Sequence, residues 1–203
     1  MNEPSSPPEN FFKTAFYFES ALILVAIILG WIANINPFEF MRVTESAIVN
    51  GIIGTLPLCL IFLALNHIQS ESLLRIRELL HDTLGANLVK LHWTDLFVLA
   101  AIAGLSEEIL FRGVIQPWLE NSWGILAGLL ISSVIFGLVH AVTFLYFVMA
   151  ASISCYLGLY LDYDSTRNLV TPIIIHSLYD FFAFMVIMKA YRTSLNNSDT
   201  TEQ

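Results

Sequence analysis

Apolar residues run along this chain in six long blocks that are separated by shorter polar segments. Each block has about 17–25 residues, the length of α-helix that crosses a membrane. The pattern therefore predicts an all-α, polytopic membrane protein with about six transmembrane helices. The predicted spans cover residues 15–33, 46–65, 95–115, 123–142, 144–161 and 169–188.

The composition supports a membrane protein and excludes some functions. Hydrophobic residues make up 56% of the chain and charged residues only 13%, a balance that is unusual for a soluble domain. The formal net charge is −8 and the nine Lys and Arg residues form no basic patch, so we expect no binding to nucleic acid. No apolar segment with a small-residue cleavage site precedes the first span, so we expect that span to be retained.

Polar segments outside the spans predict the domain organisation. Residues 1–12 and 194–203 are rich in polar residues and are expected to be disordered, on either side of a single transmembrane domain at 13–193. Between the second and third spans, residues 71–84 carry apolar side chains at helical spacing. This stretch predicts one amphipathic surface helix, either lying on the membrane or serving as a plain connector.

Positively charged residues predict the orientation of the spans. Most Lys and Arg residues lie on the side that comprises both termini, the loop between spans two and three, and the connection between spans four and five. Because such residues favour the cytoplasmic face, we expect both termini to be cytoplasmic. An integral membrane protein without a targeting segment fits a prokaryotic plasma membrane.

Three charged residues interrupt the third apolar block: Glu107, Glu108 and Arg112. A charge at membrane depth costs about 2.5–3.5 kcal/mol, so such residues persist mainly where a site requires them. Glu108 and Arg112 have the four-residue spacing of an ion pair on one helix face, and we assign them a structural role. Glu107 has Phe111 at that spacing instead of a cation. An unpaired carboxylate in a low-dielectric pocket takes up a proton readily, which suits a general base.

Two later spans add further polar groups. Phe136 and His140 are four residues apart near the end of the fourth span, and His176 and Asp180 repeat this spacing in the sixth. Asp180 is expected to accept a hydrogen bond from one ring nitrogen of His176 and so to fix its tautomer. Packing alone would not require polar groups on three spans. The pattern therefore predicts a water-containing polar cavity among spans three, four and six.

Two other chemistries stay open on the residues alone. Glu107, His140 and His176 would provide three zinc ligands with a fourth position free, as in catalytic zinc sites, although the HExxH signature is absent. The cofactor is therefore either none or zinc. Serine catalysis needs a nucleophile beside a histidine, and no local sequence marks one. Its candidates are Ser132, Ser133, Ser152, Ser154 and Ser177.

The polar motifs resemble the signatures of the CAAX protease and bacteriocin-processing (CPBP) family, also called the Abi family, of membrane endopeptidases. The EExxxR signature is matched by residues 107–112, FxxxH by residues 136–140, and the third signature by residues 176–180. The resemblance covers residues 95–188, which form the motif-bearing core of the predicted domain. It implies an intramembrane endopeptidase, a type of enzyme described in this family either as a glutamate protease or as a metalloprotease.

The resemblance also implies roles for the motif residues. Glu107 would activate water with help from His140, and His176 would stabilise the oxyanion. Prenyl-protein-processing members carry Asn where this chain has Asp180, and an ionised Asp cannot donate a hydrogen bond. We therefore expect Asp180 to orient His176, and we expect the substrate to be a membrane-associated or lipid-linked peptide. The residues that would support this centre are Glu108, Arg112 and Phe136.

The same motifs are compatible with two functions of other classes. A catalytically silent membrane scaffold or immunity protein of the same fold is the alternative to an enzyme. An ion-coupled carrier is a third hypothesis, which the absence of an internal repeat disfavours. The expected partners are membrane lipid and a membrane-associated substrate, and the pattern predicts no particular oligomeric state.

Straight helices pose a geometric problem for a single site. They would put Glu107 about 20 Å from the cytoplasmic end of its span, whereas His140 would lie near that end, roughly 15 Å from the level of Glu107. One shared site therefore requires tilted helices, span ends that are displaced by several residues, or a break near Gly104.

Overall fold

The structure is a computed structural model that describes residues 8–201. Throughout that range the regular secondary structure is helical, as the apolar blocks predict. The α-helices are α1 Pro8–Ala33, α2 Glu45–His67, α3 Glu71–Leu80, α4 Ala86–Leu88, α5 Trp93–Leu110, α6 Gln116–Trp123, α7 Ile125–Val139, α8 Phe144–Tyr160 and α9 Val170–Thr201. A π-helical turn at His81–Gly85 joins α3 to α4, and a second at Phe111–Ile115 joins α5 to α6.

The predicted class of fold, an all-α membrane protein, is confirmed. Three described helices are long and apolar enough to cross a membrane, namely Asn10–Ala33, Glu45–His67 and Val170–Asn197. The apolar helices α7 and α8 are shorter, with 15 and 17 residues. At 1.5 Å per residue they are about 22 and 25 Å long, less than the roughly 30 Å of a hydrocarbon core. The number of complete spans therefore stays a prediction.

Helix covers parts of both termini for which the composition predicts disorder. Within residues 1–12, α1 begins at Pro8, and within residues 194–203, α9 continues to Thr201. Extending a formed helix adds one hydrogen bond per residue without the cost of nucleation, so a polar end can stay helical. Residues 1–7 and 202–203 lie outside the described range.

Side-chain caps explain where three of the helices begin. Thr44 before α2 and Thr143 before α8 each accept a hydrogen bond from a backbone N–H three residues further on, at 3.2 and 3.1 Å. His92 and Asp95 form a reciprocal capping box at the start of α5. These bonds satisfy N–H groups that have no partner inside their own helix, a requirement that is strict where water is scarce.

A long helical rod and a short return helix bring the motif residues to one level. Helix α5, the π turn Phe111–Ile115 and α6 follow one another without a gap. Gly124 then reverses the chain with a φ of 88°, which residues with a side chain rarely adopt. Glu107 precedes Gly124 by 17 residues and His140 follows it by 16. Antiparallel helices of equal rise therefore set these two side chains at the same depth.

This arrangement corrects the predicted ends of spans three and four. The rod that begins with α5 continues to Trp123 instead of ending at residue 115, and α7 ends at Val139, three residues before the predicted end at residue 142. The mismatch in depth expected of straight spans disappears because the turn lies farther out. Gly104 lies within α5, and the helix has no break there.

The packing buries polar groups and exposes apolar ones. Helix α9 packs against α5 and α2, α1 packs against α5, and α7 packs against α6 and α8. Large apolar side chains cover the outer faces of α1 and α2, with Trp31 83% exposed, while Glu108 and Arg112 are buried inside. A soluble domain rarely exposes such an extended apolar surface, so this exterior suits contact with lipid.

An ion-pair clamp fixes the loop from which α9 starts. Arg167 in the α8–α9 loop donates hydrogen bonds to Asp162 in the same loop and to Glu120 on α6, each at 2.7 Å. The hydrogen bonds from the guanidinium to Asp162 raise the pKa of Arg167. The clamp joins the start of α9 to the rod that carries Glu107, and so helps to fix where α9 presents His176.

Candidate active site

Glu108 is the structural centre of the polar cluster. Its Oε1 atom accepts hydrogen bonds from Nη1 of Arg112 at 3.1 Å and from Nδ1 of His176 at 2.8 Å. The Glu108 side chain is fully buried, and Arg112 is 2% exposed. The ion pair expected from the four-residue spacing is therefore present, and it also holds the ring of His176 from α9.

Ser154 and Phe136 complete the surroundings of Arg112. The Nη2 atom of Arg112 donates to the backbone carbonyl of Ser154 at 2.5 Å and to its hydroxyl oxygen at 2.9 Å. The Phe136 ring lies 5.4 Å from the guanidinium carbon, a cation–π arrangement. Arg112 thus ties its own rod to α7 and α8, and it sits in a π turn, a feature often found at functional sites.

Glu107 faces both imidazole rings. Its Oε2 atom lies 3.6 Å from Nε2 of His140 and 3.9 Å from Nε2 of His176. Glu107 is 8% exposed, and this oxygen accepts no hydrogen bond from the described residues. The separations are longer than a direct hydrogen bond and are suited to a bridging water or a substrate group.

Phe136 orients the ring of His140. The Nδ1 atom of His140 lies 2.9 Å from the carbonyl oxygen of Phe136, which can only accept, so Nδ1 carries the hydrogen. The two rings also stack, with centroids 4.3 Å apart and planes inclined by 21°. Both contacts turn Nε2 of His140 towards Glu107, and this orientation gives the FxxxH spacing a physical purpose.

His176 meets a carboxylate at each ring nitrogen. Nδ1 donates to Glu108, and Nε2 lies 3.5 Å from Oδ2 of Asp180. The expected contact between His176 and Asp180 is therefore present, but Glu108 makes the shorter bond to the ring.

A mainly apolar cavity of about 580 Å³ adjoins the polar cluster. Its lining includes all four predicted catalytic residues together with parts of α2, α8 and α9. Leu73 and Ile76 of α3 are buried and also line it. The amphipathic helix predicted at residues 71–84 is thus present as α3 and the π turn after it, and its apolar side faces the cavity.

The Glu107 carboxylate and the two imidazoles are spaced more widely than the ligands of a zinc ion. A tetrahedral ion bound at about 2.0–2.1 Å needs ligand atoms roughly 3.3–3.5 Å apart. Oε2 of Glu107 is farther than this from Nε2 of both His140 and His176. Among the described residues, no three His, Cys, Asp or Glu side chains are arranged to hold a metal ion. The spacing of these side chains therefore does not fit zinc.

The candidate serine nucleophiles have other contacts. The hydroxyls of Ser132, Ser133 and Ser152 donate to backbone carbonyls of the preceding turn in their own helices. Ser154 contacts Arg112, and Ser177 packs against Gly104. These partners are typical of serines that satisfy their hydroxyls within a helical bundle.

Sequence reasoning missed two polar partners of the cluster. Ser154 is one, and no spacing rule within a single helix points to a residue on a different helix. The other is Glu19 on α1, whose carboxylate accepts a hydrogen bond from Ser106 at 3.1 Å. A lone charge in the first apolar block was the available signal, under the same rule that singled out Glu107.

Fold and site together define a helical membrane protein with carboxylates and imidazoles at the wall of an apolar cavity. Residues 89–182 match the family model described as type II CAAX prenyl endopeptidase Rce1-like. The resemblance to CAAX proteases is thereby confirmed for the matched segment, which contains all three motifs. No curated protein and no solved structure matches the chain.

Proposed function

We propose that this protein hydrolyses peptide bonds of membrane-associated or lipid-linked peptides, with Glu107 as the general base. The observation that carries the proposal is the Oε2 atom of Glu107, which is buried, accepts no hydrogen bond from the described residues and faces His140 and His176. Glu108 also has one oxygen, Oε2, without a hydrogen bond, but its Oε1 accepts from Arg112 and His176. Glu107 lines the cavity and Glu108 does not, so Glu107 is the carboxylate that a substrate can reach.

Glu107 acts on a water molecule in this proposal. Oε2 of Glu107 and Nε2 of His140 are 3.6 Å apart, which is too long for a direct hydrogen bond. A water molecule that binds to both atoms would bridge them. Glu107 takes a proton from the water while the water oxygen forms a bond to the carbonyl carbon of the peptide. The carbonyl oxygen becomes an oxyanion. When the intermediate collapses, the C–N bond breaks and the leaving amine receives the proton from Glu107.

The imidazoles assist at two points. His140 holds the water, since its Nδ1–H is committed to Phe136 and only Nε2 faces Glu107. His176 donates Nε2–H to the oxyanion, an interaction worth about 2.7–4 kcal/mol per donor in other hydrolases. The Asp180 carboxylate, 3.5 Å from that nitrogen, orients the ring and favours its charged form.

The cavity indicates the class of substrate. It is mainly apolar, and its volume of about 580 Å³ is typical of a small-molecule binding site. A lipid attached to the peptide, or an apolar peptide segment, would fill it while the scissile bond meets the polar wall. Prenyl groups, to which the description of the matched family refers, belong to this chemical class. We also propose that both termini, and with them α3, lie on the cytoplasmic side, because Lys and Arg are concentrated there.

The test is cleavage of tagged peptides by purified protein in lipid nanodiscs. The panel pairs each membrane-associated peptide with a lipid-linked copy, and compares wild type, Glu107→Gln and Glu39→Gln, each with and without a strong zinc chelator. Glu39 is an exposed carboxylate outside the cluster and controls for the change in charge. We expect wild type and Glu39→Gln to cleave with or without chelator, and Glu107→Gln to be inactive.

Each other outcome counts against a definite part of the proposal. Cleavage by Glu107→Gln would overturn the role of Glu107. Loss of wild-type cleavage on chelation would replace the metal-free reaction with a metalloprotease. Absence of wild-type cleavage across the whole panel would favour the silent scaffold or immunity protein.

A further inference from the structure

A third carboxylate reaches the cluster from outside the matched segment. Glu19 lies on α1, and no other charged residue occurs between it and Ala33, the last residue of that helix. A carboxylate in such an apolar helix is costly, and by default it marks a functional site. Neither the three motifs nor the family match assigns it a role.

Glu19 contacts the helix that carries Glu107 one residue before Glu107 itself. The hydroxyl of Ser106 donates to Oε2 of Glu19 at 3.1 Å, and Ser106 is fully buried and directly precedes Glu107. Glu19 is half-buried and does not line the cavity, so it does not meet a substrate there.

The Ser106 hydroxyl has a second acceptor within its own helix. The carbonyl oxygen of Ala103 lies 3.2 Å away. A serine that bonds back to its own helix backbone competes with the regular hydrogen bonds and can bend the helix. The acceptor on α1 gives the hydroxyl a partner outside its own helix, and so weakens its bond back to the Ala103 carbonyl.

We propose that Glu19 is a positioning residue for Glu107: through Ser106 it fixes the turn of α5 that carries the general base. This inference rests on the proposed hydrolysis. Reacting groups must be placed closely, and a displacement of about 1 Å can cost about a hundredfold in rate. Glu19 contributes in this way from a helix outside residues 89–182.

A double-mutant cycle tests whether Glu19 acts through Ser106. The variants are Glu19→Leu, Ser106→Ala and the double variant, with Glu19→Gln as the conservative change because its amide oxygen still accepts from Ser106. We expect Glu19→Leu and Ser106→Ala each to lower kcat about tenfold or more with little change in KM, and the double variant to be no worse than either. Glu19→Gln should restore most of kcat.

A second measurement does not depend on turnover. Hydrogen–deuterium exchange of the peptide covering residues 103–110 should rise to a similar extent in Glu19→Leu and Ser106→Ala, and no further in the double variant. Additive losses of kcat together with unchanged exchange would overturn the positioning role. A wild type that cleaves no peptide, with exchange that still shows the coupling, would mean that the proposed hydrolysis fails. The contact between Glu19 and Ser106 would then be purely structural, and the positioning role would be overturned with it.

Discussion

The Nε2 atom of His140 lies 3.6 Å from Oε2 of Glu107, although a helical hairpin of more than thirty residues joins them. The pairing follows from the position of Gly124, which turns the chain nearly midway between the two residues. Phe136 then aims the imidazole by accepting from its Nδ1–H. The lengths of the two antiparallel helical arms set the relative height of Glu107 and His140. The site therefore depends more on helix lengths than on loop conformations.

Exchanging each adjacent glutamate for glutamine should separate chemistry from architecture. Glu107→Gln keeps the shape of the side chain but cannot take a proton, so we expect kcat to fall about 10²–10⁴-fold with an unchanged thermal midpoint. Glu108→Gln weakens the acceptor of the buried Arg112 charge and should lower stability by as much as about 3–5 kcal/mol. Activity and thermal unfolding in one detergent measure both. A midpoint that falls equally in the two variants would contradict the division of roles.

Replacing both Glu108 and Arg112 should restore the stability that is lost when Arg112 alone is replaced, but it should not restore activity. Arg112→Met alone leaves Glu108 as an uncompensated buried charge and should destabilise the fold by about 3–5 kcal/mol. The double variant Glu108→Met with Arg112→Met replaces both charges with apolar side chains and should recover most of that loss. His176 then has no acceptor for its Nδ1–H. We therefore expect the double variant to fold and not to cleave, and recovered cleavage would show that Glu108 does not hold the ring.

Asp180→Asn tests what the carboxylate does beside His176. The amide keeps the size of the side chain but loses the charge that orients the ring and favours its charged form. We expect kcat to fall about tenfold while KM changes little, and Asp164→Asn, in the exposed α8–α9 loop, to behave as wild type. Steady-state kinetics with one peptide substrate decide the matter. A rise in kcat would mean that the reaction needs a hydrogen-bond donor at this position.

The helical class and most helix positions were predictable because apolar block length is a local property of the chain. The helix ends were less so. The block at residues 95–115 contains no signal that the helix continues to Trp123 through polar residues, and the turn at Gly124 depends on α7 packing back against α6. A helix at residues 71–84 was predictable from their amphipathic pattern. That the apolar side of α3 lines a cavity depends on the gap between α2, α8 and α9.

Contacts of the site within one helix were predictable from the spacing of the residues, and contacts between helices were not. The contact between Glu108 and Arg112 and the contact between His176 and Asp180 both follow from a four-residue interval. The bond from His176 to Glu108 joins two helices, and no interval encodes it. For the same reason the sequence does not indicate that Ser154 binds Arg112.

Gly104→Ala should damage the site by separating two helices. At Gly104, α5 and α9 approach so closely that a methyl group would overlap the hydroxyl and backbone of Ser177. Since His176 is the neighbour of Ser177, a shift of α9 by even a fraction of an ångström moves the imidazole away from Glu107 and Glu108. We expect a lower thermal midpoint and a fall in kcat of about ten- to a hundredfold.

Ser177→Gly in the Gly104→Ala background is the matched rescue variant. It removes the hydroxyl that the new methyl group would overlap. The backbone nitrogen of residue 177 still lies 2.7 Å from the methyl carbon added at Gly104. We therefore expect part of kcat to return, while Ser177→Gly alone should cost only about 0.5–1 kcal/mol of helix stability. Absence of any rescue, with the thermal midpoint restored, would show that the depth and spacing of His176 do not limit the reaction.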